Sequence, residues 1–171
     1  MSTVLIGYRG SGKTTIGKKL ADRLWQRFVD TDDLIVRRAG KSIREIFEQD
    51  GEPAFREIEH QVLHETLLLE DHVISLGGGA ILREDNRQAI RAASHRVIYL
   101  KCDPQTLAER IESDPATAAN RPPLTAGRSS TDEVAAVLAE REPLYRQVMD
   151  AELDVTHLSP DEAVVYIVRM L

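Results

Sequence analysis

The sequence predicts an α/β fold, a three-layer α/β/α sandwich on a parallel sheet, and three observations predict it. Short apolar, largely β-branched runs alternate with segments of helical periodicity along the whole chain. The first strand-to-helix turn, Gly7-Tyr8-Arg9-Gly10-Ser11-Gly12-Lys13-Thr14-Thr15, fits the phosphate-loop pattern G-x-x-x-x-G-K-[ST] at every fixed position. Two further turns that follow strands, Asp30-Thr31-Asp32-Asp33 and Gly77-Gly78-Gly79, are rich in groups that bind ligands. In open α/β sheets ligands collect at the carboxyl ends of the strands, so all three turns belong to one rim.

Val4-Leu5-Ile6 reads as a buried strand, and Ile16, Leu20, Ala21 and Leu24 mark the inner face of the helix behind the glycine-rich turn. Glycines let the backbone approach a polyphosphate, and the helix start adds unpaired N–H donors and a positive dipole end. Lys13 is the residue to neutralise the β- and γ-phosphates, and the Thr14 hydroxyl is the one to ligate Mg²⁺. Phe28-Val29-Asp30 is a brief second strand. Helical pieces at 34–39 and 43–50 are broken at Gly40, the second opened by a Ser42/Glu45 capping box. Gly51-Glu52-Pro53 starts a long helix to about Leu69 with inner face Phe55, Ile58, Val62, Thr66 and Leu69.

Val73 to Leu76 is the third strand, 84–93 a helix, and Arg96 to Leu100 the fourth strand. Asp103-Pro104 begins a helix reaching about Glu112. From 113 to 130 the pattern dissolves into Pro, Ala, Gly, Ser and Thr, a length that favours a mobile lid, with Arg121 at its centre. A lid suits phosphoryl transfer, because water would otherwise take the phosphate. A helix resumes near Thr131 and runs to about Ala151, with a kink expected at Pro143. Leu153-Asp154-Val155 is the last strand, and Ser159-Pro160 opens the final helix to Leu171.

A chain of 171 residues forms one domain with a real core. Apolar content of 42% and charged content of 29% are those of an ordinary globular protein. A net charge of −6 argues against a nucleic-acid partner. No apolar run approaches the roughly 20 residues of a membrane span, and Met1-Ser2-Thr3 leads straight into a strand, without a signal peptide. The single cysteine, Cys102, excludes an internal disulfide, suits the cytoplasm and reads as a buried, inert thiol.

Beyond the phosphate donor, the acceptor needs its own residues. Asp30 and Asp32, two apart on extended backbone, point in similar directions, one toward Mg²⁺ through water and the other toward an acceptor hydroxyl. Capping of the next helix is the other reading, and both stand open. Arg141 sits on the apolar stripe of Val134, Val137, Leu138, Leu144, Tyr145 and Val148, where a guanidinium must find an anion. A structural salt bridge and a substrate carboxylate both satisfy it. Arg56, beside Phe55, is a second candidate for the same anion. His60 and His64 are spaced like a metal pair but lack the glutamate of a zincin motif, and read as partly exposed helix residues. Trp25, at the end of the first helix, reads as packing.

These motifs together resemble those of the shikimate kinase family over essentially the whole chain. The resemblance rests on Gly10 to Thr15, Asp30-Thr31-Asp32, Phe55-Arg56-Glu57-Ile58-Glu59, Leu76 to Ala80, Asn120-Arg121-Pro122 and Arg141-Glu142-Pro143-Leu144-Tyr145. It implies a nucleoside-monophosphate-kinase-like P-loop fold of five parallel strands in the order 2-3-1-4-5, with a substrate-binding insert at about 31–60. It implies transfer of the γ-phosphoryl group of ATP to the 3-hydroxyl of shikimate, on the route to chorismate and aromatic amino acids, by a cytoplasmic monomer. The ATP-binding set it implies is Gly10, Ser11, Gly12, Lys13, Thr14, Thr15, Arg110 and Arg121. Mg²⁺ falls to Thr14 and, through water, Asp30; shikimate falls to Asp32, Arg56, Gly78, Gly79 and Arg141. Lys13, Asp32 and Arg121 are the implied catalytic residues, with Asp32 orienting or deprotonating the acceptor. The chain departs from the family in Pro122-Pro123-Leu124, where Pro-Leu-Leu is usual, and in Thr156-His157-Leu158-Ser159-Pro160, where an arginine often meets adenine. Two other functions fit the phosphate loop alone: a gluconate-kinase-like enzyme, which needs no pair of arginines, and a nucleotide switch without an acceptor.

Overall fold

The computed structural model describes residues 1–115 and 130–171. Five parallel strands, β1 (Thr3–Ile6), β2 (Arg27–Asp30), β3 (His72–Ser75), β4 (Arg96–Lys101) and β5 (Ala151–Asp154), form one sheet in the order β2-β3-β1-β4-β5. All the pairings are parallel, so every link between strands is a crossover. The helices are α1 (Lys13–Leu24), α2 (Thr31–Ala39), α3 (Ile43–Asp50), α4 (Glu52–Thr66), α5 (Glu84–Ala92), α6 (Pro104–Ser113), α7 (Ser130–Val148) and α8 (Pro160–Met170). The β1-to-β2 link runs one way across the sheet and all later links run the other way. Right-handed crossovers therefore place α1 on one face and α2 to α7 on the opposite face. The helix contacts agree: α1 packs beside α8, while α4 meets α5, and α7 meets both α5 and α6.

Central strands buried on both faces need continuous apolar runs, and Val4, Leu5, Ile6, Ile74, Ile98 and Leu100 are all at most 1% exposed. A second, smaller cluster of Ile35, Ile43, Ile46, Phe55 and Val62 holds α2, α3 and α4 together. It gives the segment after β2 its own hydrophobic centre beside the main sheet core. Helix starts are specified locally: Asp30, Ser42, Asp103 and Ser159 each accept a backbone N–H of the following turn. Ser42/Glu45 and Ser159/Glu162 both form complete capping boxes.

Several expectations change. Helix α4 ends at Thr66, and its buried face is Phe55, Glu59, Val62, Leu63 and Thr66 rather than one through Ile58 and Leu69. Helix α7, with Pro143 inside it, stops at Val148, and β5 begins at Ala151, because Asp150 N–H already bonds to Val97 O at 2.8 Å. Asp32 lies in the first turn of α2, not on extended backbone. Trp25 does not pack: it adopts a left-handed conformation (φ 57°) that ends α1 with its own N–H, and it is 95% exposed.

Gly17, on the inner face of α1, leaves no room for a side chain, since an added Cβ would come within 2.4 Å of the Phe28 ring on β2. Gly17→Ala should therefore force α1 and β2 apart and cost about 1–3 kcal/mol, the range for overpacked cores. A lowered urea-unfolding midpoint at unchanged slope checks it, and an unchanged midpoint would show that Phe28 gives way freely.

Candidate active site

The strand register brings the functional turns together. Leu5 and Asp30 both align with Ser75, and Lys101 aligns with Asp154, so the loops after β1, β2, β3 and β5 leave the sheet at one rim. At the first of these, Gly7 (φ 149°) passes so close to β4 that a Cβ would lie 2.6 Å from Leu100 O. Gly10 and Gly12 take positive φ of 84° and 93°. Helix α1 then starts at Gly12 with no side-chain cap and no acid in its first turn. That leaves first-turn N–H groups and the dipole end for an anion. Lys13 is buried, and its Nζ donates to Gly7 O (2.8 Å) and Tyr8 O (3.0 Å).

Residues Arg9 to Ile16 line a cavity of about 480 Å³ that also meets Asp30, Asp32, Arg110, Val155, Leu158 and Pro160. Arg110 spans it, making long hydrogen bonds to Gly10 O (3.4 Å) and Val155 O (3.5 Å). Val155, Leu158 and Pro160 give the far wall an apolar character suited to a base, at the place where an arginine was the alternative. Thr14 Oγ1 donates to Asp30 Oδ2 at 2.8 Å, while Asp30 Oδ1 accepts the Asp32 N–H at 3.0 Å. Asp30 thus caps α2 and faces the phosphate loop at once, so the two readings of this cluster are compatible. A hydroxyl beside a carboxylate is a hard-oxygen donor set of the kind Mg²⁺ takes with water and phosphate oxygens.

A second cavity, of about 280 Å³, opens on the other side of Asp32 and is lined by Phe47, Phe55, Arg56, Glu59, the Gly77–Gly79 turn and Arg141, among others. Its volume suits a small molecule better than a drug-sized ligand, for which roughly 300–1,000 Å³ is usual. Arg56 bonds to Glu59 (2.8 Å) and Glu52 (3.3 Å) and lies over the Phe55 ring at 5.1 Å. Arg141 stands over the Tyr8 ring, 5.6 Å from its centre. Gly77, Gly78 and Gly79 are needed here for space, not for unusual dihedrals. A Cβ on Gly79 would meet Arg56 Nη1 at 2.4 Å, and one on Gly77 would meet Asp32 Oδ1 at 2.8 Å. Thr31 Oγ1 donates to Ser75 O (3.2 Å) and accepts from Gly77 N–H (3.0 Å), which sets α2 against this turn. Tyr145 Oη, fully buried on α7, donates to Gly78 O at 2.6 Å.

Of the residues singled out in the sequence, Arg121 lies outside the described residues, as does most of the expected lid. The others sit at the two cavities: Gly10 to Thr15, Asp30 and Arg110 at the first, Arg56, Gly78, Gly79 and Arg141 at the second, and Asp32 at both. Sequence reasoning missed Glu59, Tyr8 and Arg9. Glu59 carried a usable signal, being four residues after Phe55 and three before Val62 on the stripe of α4. The His60 and His64 rings meet at a tilt of 57°, 4.3 Å between centres, with His60 Nδ1 against Asn86 Oδ1 (2.6 Å), away from both cavities. Among the described residues no cluster of His, Cys, Asp and Glu is arranged to hold a metal by itself.

A shikimate kinase family model matches residues 9–171. A shikimate kinase of Rhodopirellula baltica is 45% identical over 96% of this chain and 87% of its own length. One from Thermobifida fusca is 41% identical over 98% of this chain and 93% of its own. Among solved structures, shikimate kinase from Acinetobacter baumannii in complex with shikimate superposes with a TM-score of 0.91 at 31% identity, covering 99% of this chain and 91% of that one.

Burial pushes the Glu59 carboxyl up from its ordinary 4.5, against the Arg56 guanidinium that holds it down. A raised value means that the native state keeps this proton after the unfolded chain has lost it. Stability should therefore fall as pH rises from about 4.5 through the folded-state value, and Glu59→Gln should flatten that slope. Unfolding free energies of both proteins between pH 4.5 and 8 check the sign; a steeper slope in the variant would contradict it.

Proposed function

This chain belongs to the shikimate kinase family, and we propose that it transfers the γ-phosphoryl group of ATP to the 3-hydroxyl of shikimate. The observation that carries this reading is the meeting of two cavities at Asp32, one built for phosphates and the other holding two arginines for a carboxylate. ATP lies with its phosphates on Gly10, Ser11, Gly12 and Thr15 and on the free start of α1. Lys13, now on the loop carbonyls, neutralises the β- and γ-phosphates, and Arg110 takes the nucleotide side. Thr14 and, through water, Asp30 hold Mg²⁺, which offsets phosphate charge when bound.

On the acceptor side Arg56 and Arg141 clamp the shikimate carboxylate, and Gly78 and Gly79 offer backbone to the ring. The bidentate geometry of guanidinium suits a planar carboxylate, and the clamp fixes the ring so that one hydroxyl faces Asp32. That hydroxyl oxygen attacks Pγ in line as the Pγ–O bond to ADP breaks, and Asp32 is the carboxylate placed to receive its proton. Arg121 joins the reading through its motif, as the lid residue that reaches ATP. We read the chain as one domain with a substrate-binding segment at about 31–60 and a lid at about 113–130, working as a cytoplasmic monomer. The separate apolar cluster of α2 to α4 supports the segment, and the lone buried thiol supports a reducing compartment. Among the described residues no helix is long and apolar enough to cross a membrane.

A coupled assay for ADP across shikimate, gluconate and nucleoside monophosphates tests the reading, with release stimulated by shikimate alone expected. Stimulation by gluconate, or by none of the three, would replace it with the sugar-acid kinase or the nucleotide switch. Arg141→Ala should raise the KM for shikimate about 10- to 100-fold, the worth of a charged contact of roughly 1.5–3 kcal/mol, and leave the KM for ATP within about threefold. Equal damage to both constants would assign Arg141 a structural role.

A further inference from the structure

Arg9 occupies a variable position of the phosphate loop, so the motif itself asks nothing of it. Only Asp32 and Arg9 line both cavities among the described residues. The two cavities therefore share these two side chains, and a phosphoryl group moving from one to the other moves beside them. The other arginines of the site are placed differently: Arg56 is held by Glu59 and Glu52, Arg110 by two carbonyls, and Arg141 lies over the Tyr8 ring and lines the second cavity but not the first. Arg9 has no carboxylate at ion-pair distance among the described residues, and its Nε is buried without a hydrogen-bond partner there. A part-buried guanidinium left so is costly unless an anion arrives. Its backbone lies in a crowded turn, where a Cβ on Gly78 would meet Arg9 N at 3.4 Å and Gly7 O at 3.3 Å.

We propose that Arg9 is a catalytic residue of this chain, whose guanidinium binds the phosphoryl group while it is in transit between ADP and the acceptor oxygen. The proposal rests on the kinase reading above and adds a group to it. As the Pγ–O bond to ADP breaks and the bond to the acceptor oxygen forms, negative charge lies on the equatorial oxygens and the bridging oxygen of the leaving ADP. The acceptor proton goes to Asp32. A cation that shares the junction of the cavities with Asp32 stabilises that distribution more than it stabilises either bound substrate, and so acts on kcat.

The test is steady-state kinetics and calorimetric binding for the wild type, Arg9→Met and Arg9→Lys, with thermal unfolding as the control for folding. Arg9→Met should lower kcat about 100-fold, as loss of one preorganised donor does, while both KM values and both binding constants stay within about threefold. Arg9→Lys keeps the charge without the planar fork and should recover about tenfold of the loss. A rise in the shikimate constant alone would make Arg9 a third carboxylate ligand, and a rise in the ATP constant alone would make it a ground-state nucleotide ligand; either overturns the proposal. So does an unchanged kcat in a folded Arg9→Met. A wild type without shikimate-dependent ADP release would instead overturn the kinase reading, and the role of Arg9 with it.

Discussion

Helix α1 begins without a side-chain cap and without an acid to balance its dipole, and most of the donor half of the molecule can be understood as accommodating that start. First-turn N–H groups next to a buried lysine concentrate positive potential at this end of the helix. The loop limits the penalty by letting Lys13 donate to Gly7 O and Tyr8 O. Anchoring comes from the inner face of the helix, where Ile16, Leu20 and Ala21 are at most 3% exposed in the main core. Burial of one face thus holds in place a terminus that is unfavourable until a polyphosphate occupies it.

The acceptor half handles charge differently. Arginine enters it as Arg56, paired with Glu59 and stacked near Phe55, and as Arg141, laid over Tyr8. Each guanidinium keeps an aromatic face or a carboxylate of the protein beside it while lining the cavity. Glu59 is itself buried enough that its carboxyl is pushed up, so the pair is a compromise between desolvation and attraction. The glycines of the 77–79 turn give these long side chains room to lie flat against the backbone.

Much of this was legible in the sequence, and the parts that were not have physical causes. The phosphate loop was readable because its glycines and Lys13 are required by local geometry, at fixed spacing. Arg141 was readable because a charge on an apolar stripe is an anomaly at any resolution of reasoning. Glu59 is the same anomaly on α4, but it was hidden by choosing Ile58 for the stripe, a neighbour that is only half-buried. Asp30 resisted a single answer because one carboxylate serves two partners, Asp32 N–H and Thr14 Oγ1. Arg9 could not be read from sequence because its importance lies in where two cavities meet, which no spacing expresses. Trp25 misled because large aromatic residues usually pack, whereas here backbone geometry at the helix end sends the side chain outward.

The close passage of Gly7 by Leu100 O has a consequence for how the protein is made. The phosphate loop is complete as a motif within nine consecutive residues, yet its walls are supplied by chain that follows much later: Leu100 on β4, Arg110 on Gly10 O across 100 residues, and Val155 after β5. Pairings of such sequence separation form late, because loop closure has to be paid for first. A nascent chain therefore carries the complete motif long before it can grip a nucleotide. Affinity for ATP becomes a property of the finished sheet, so an incomplete chain is spared the idle occupation of its most recognisable segment.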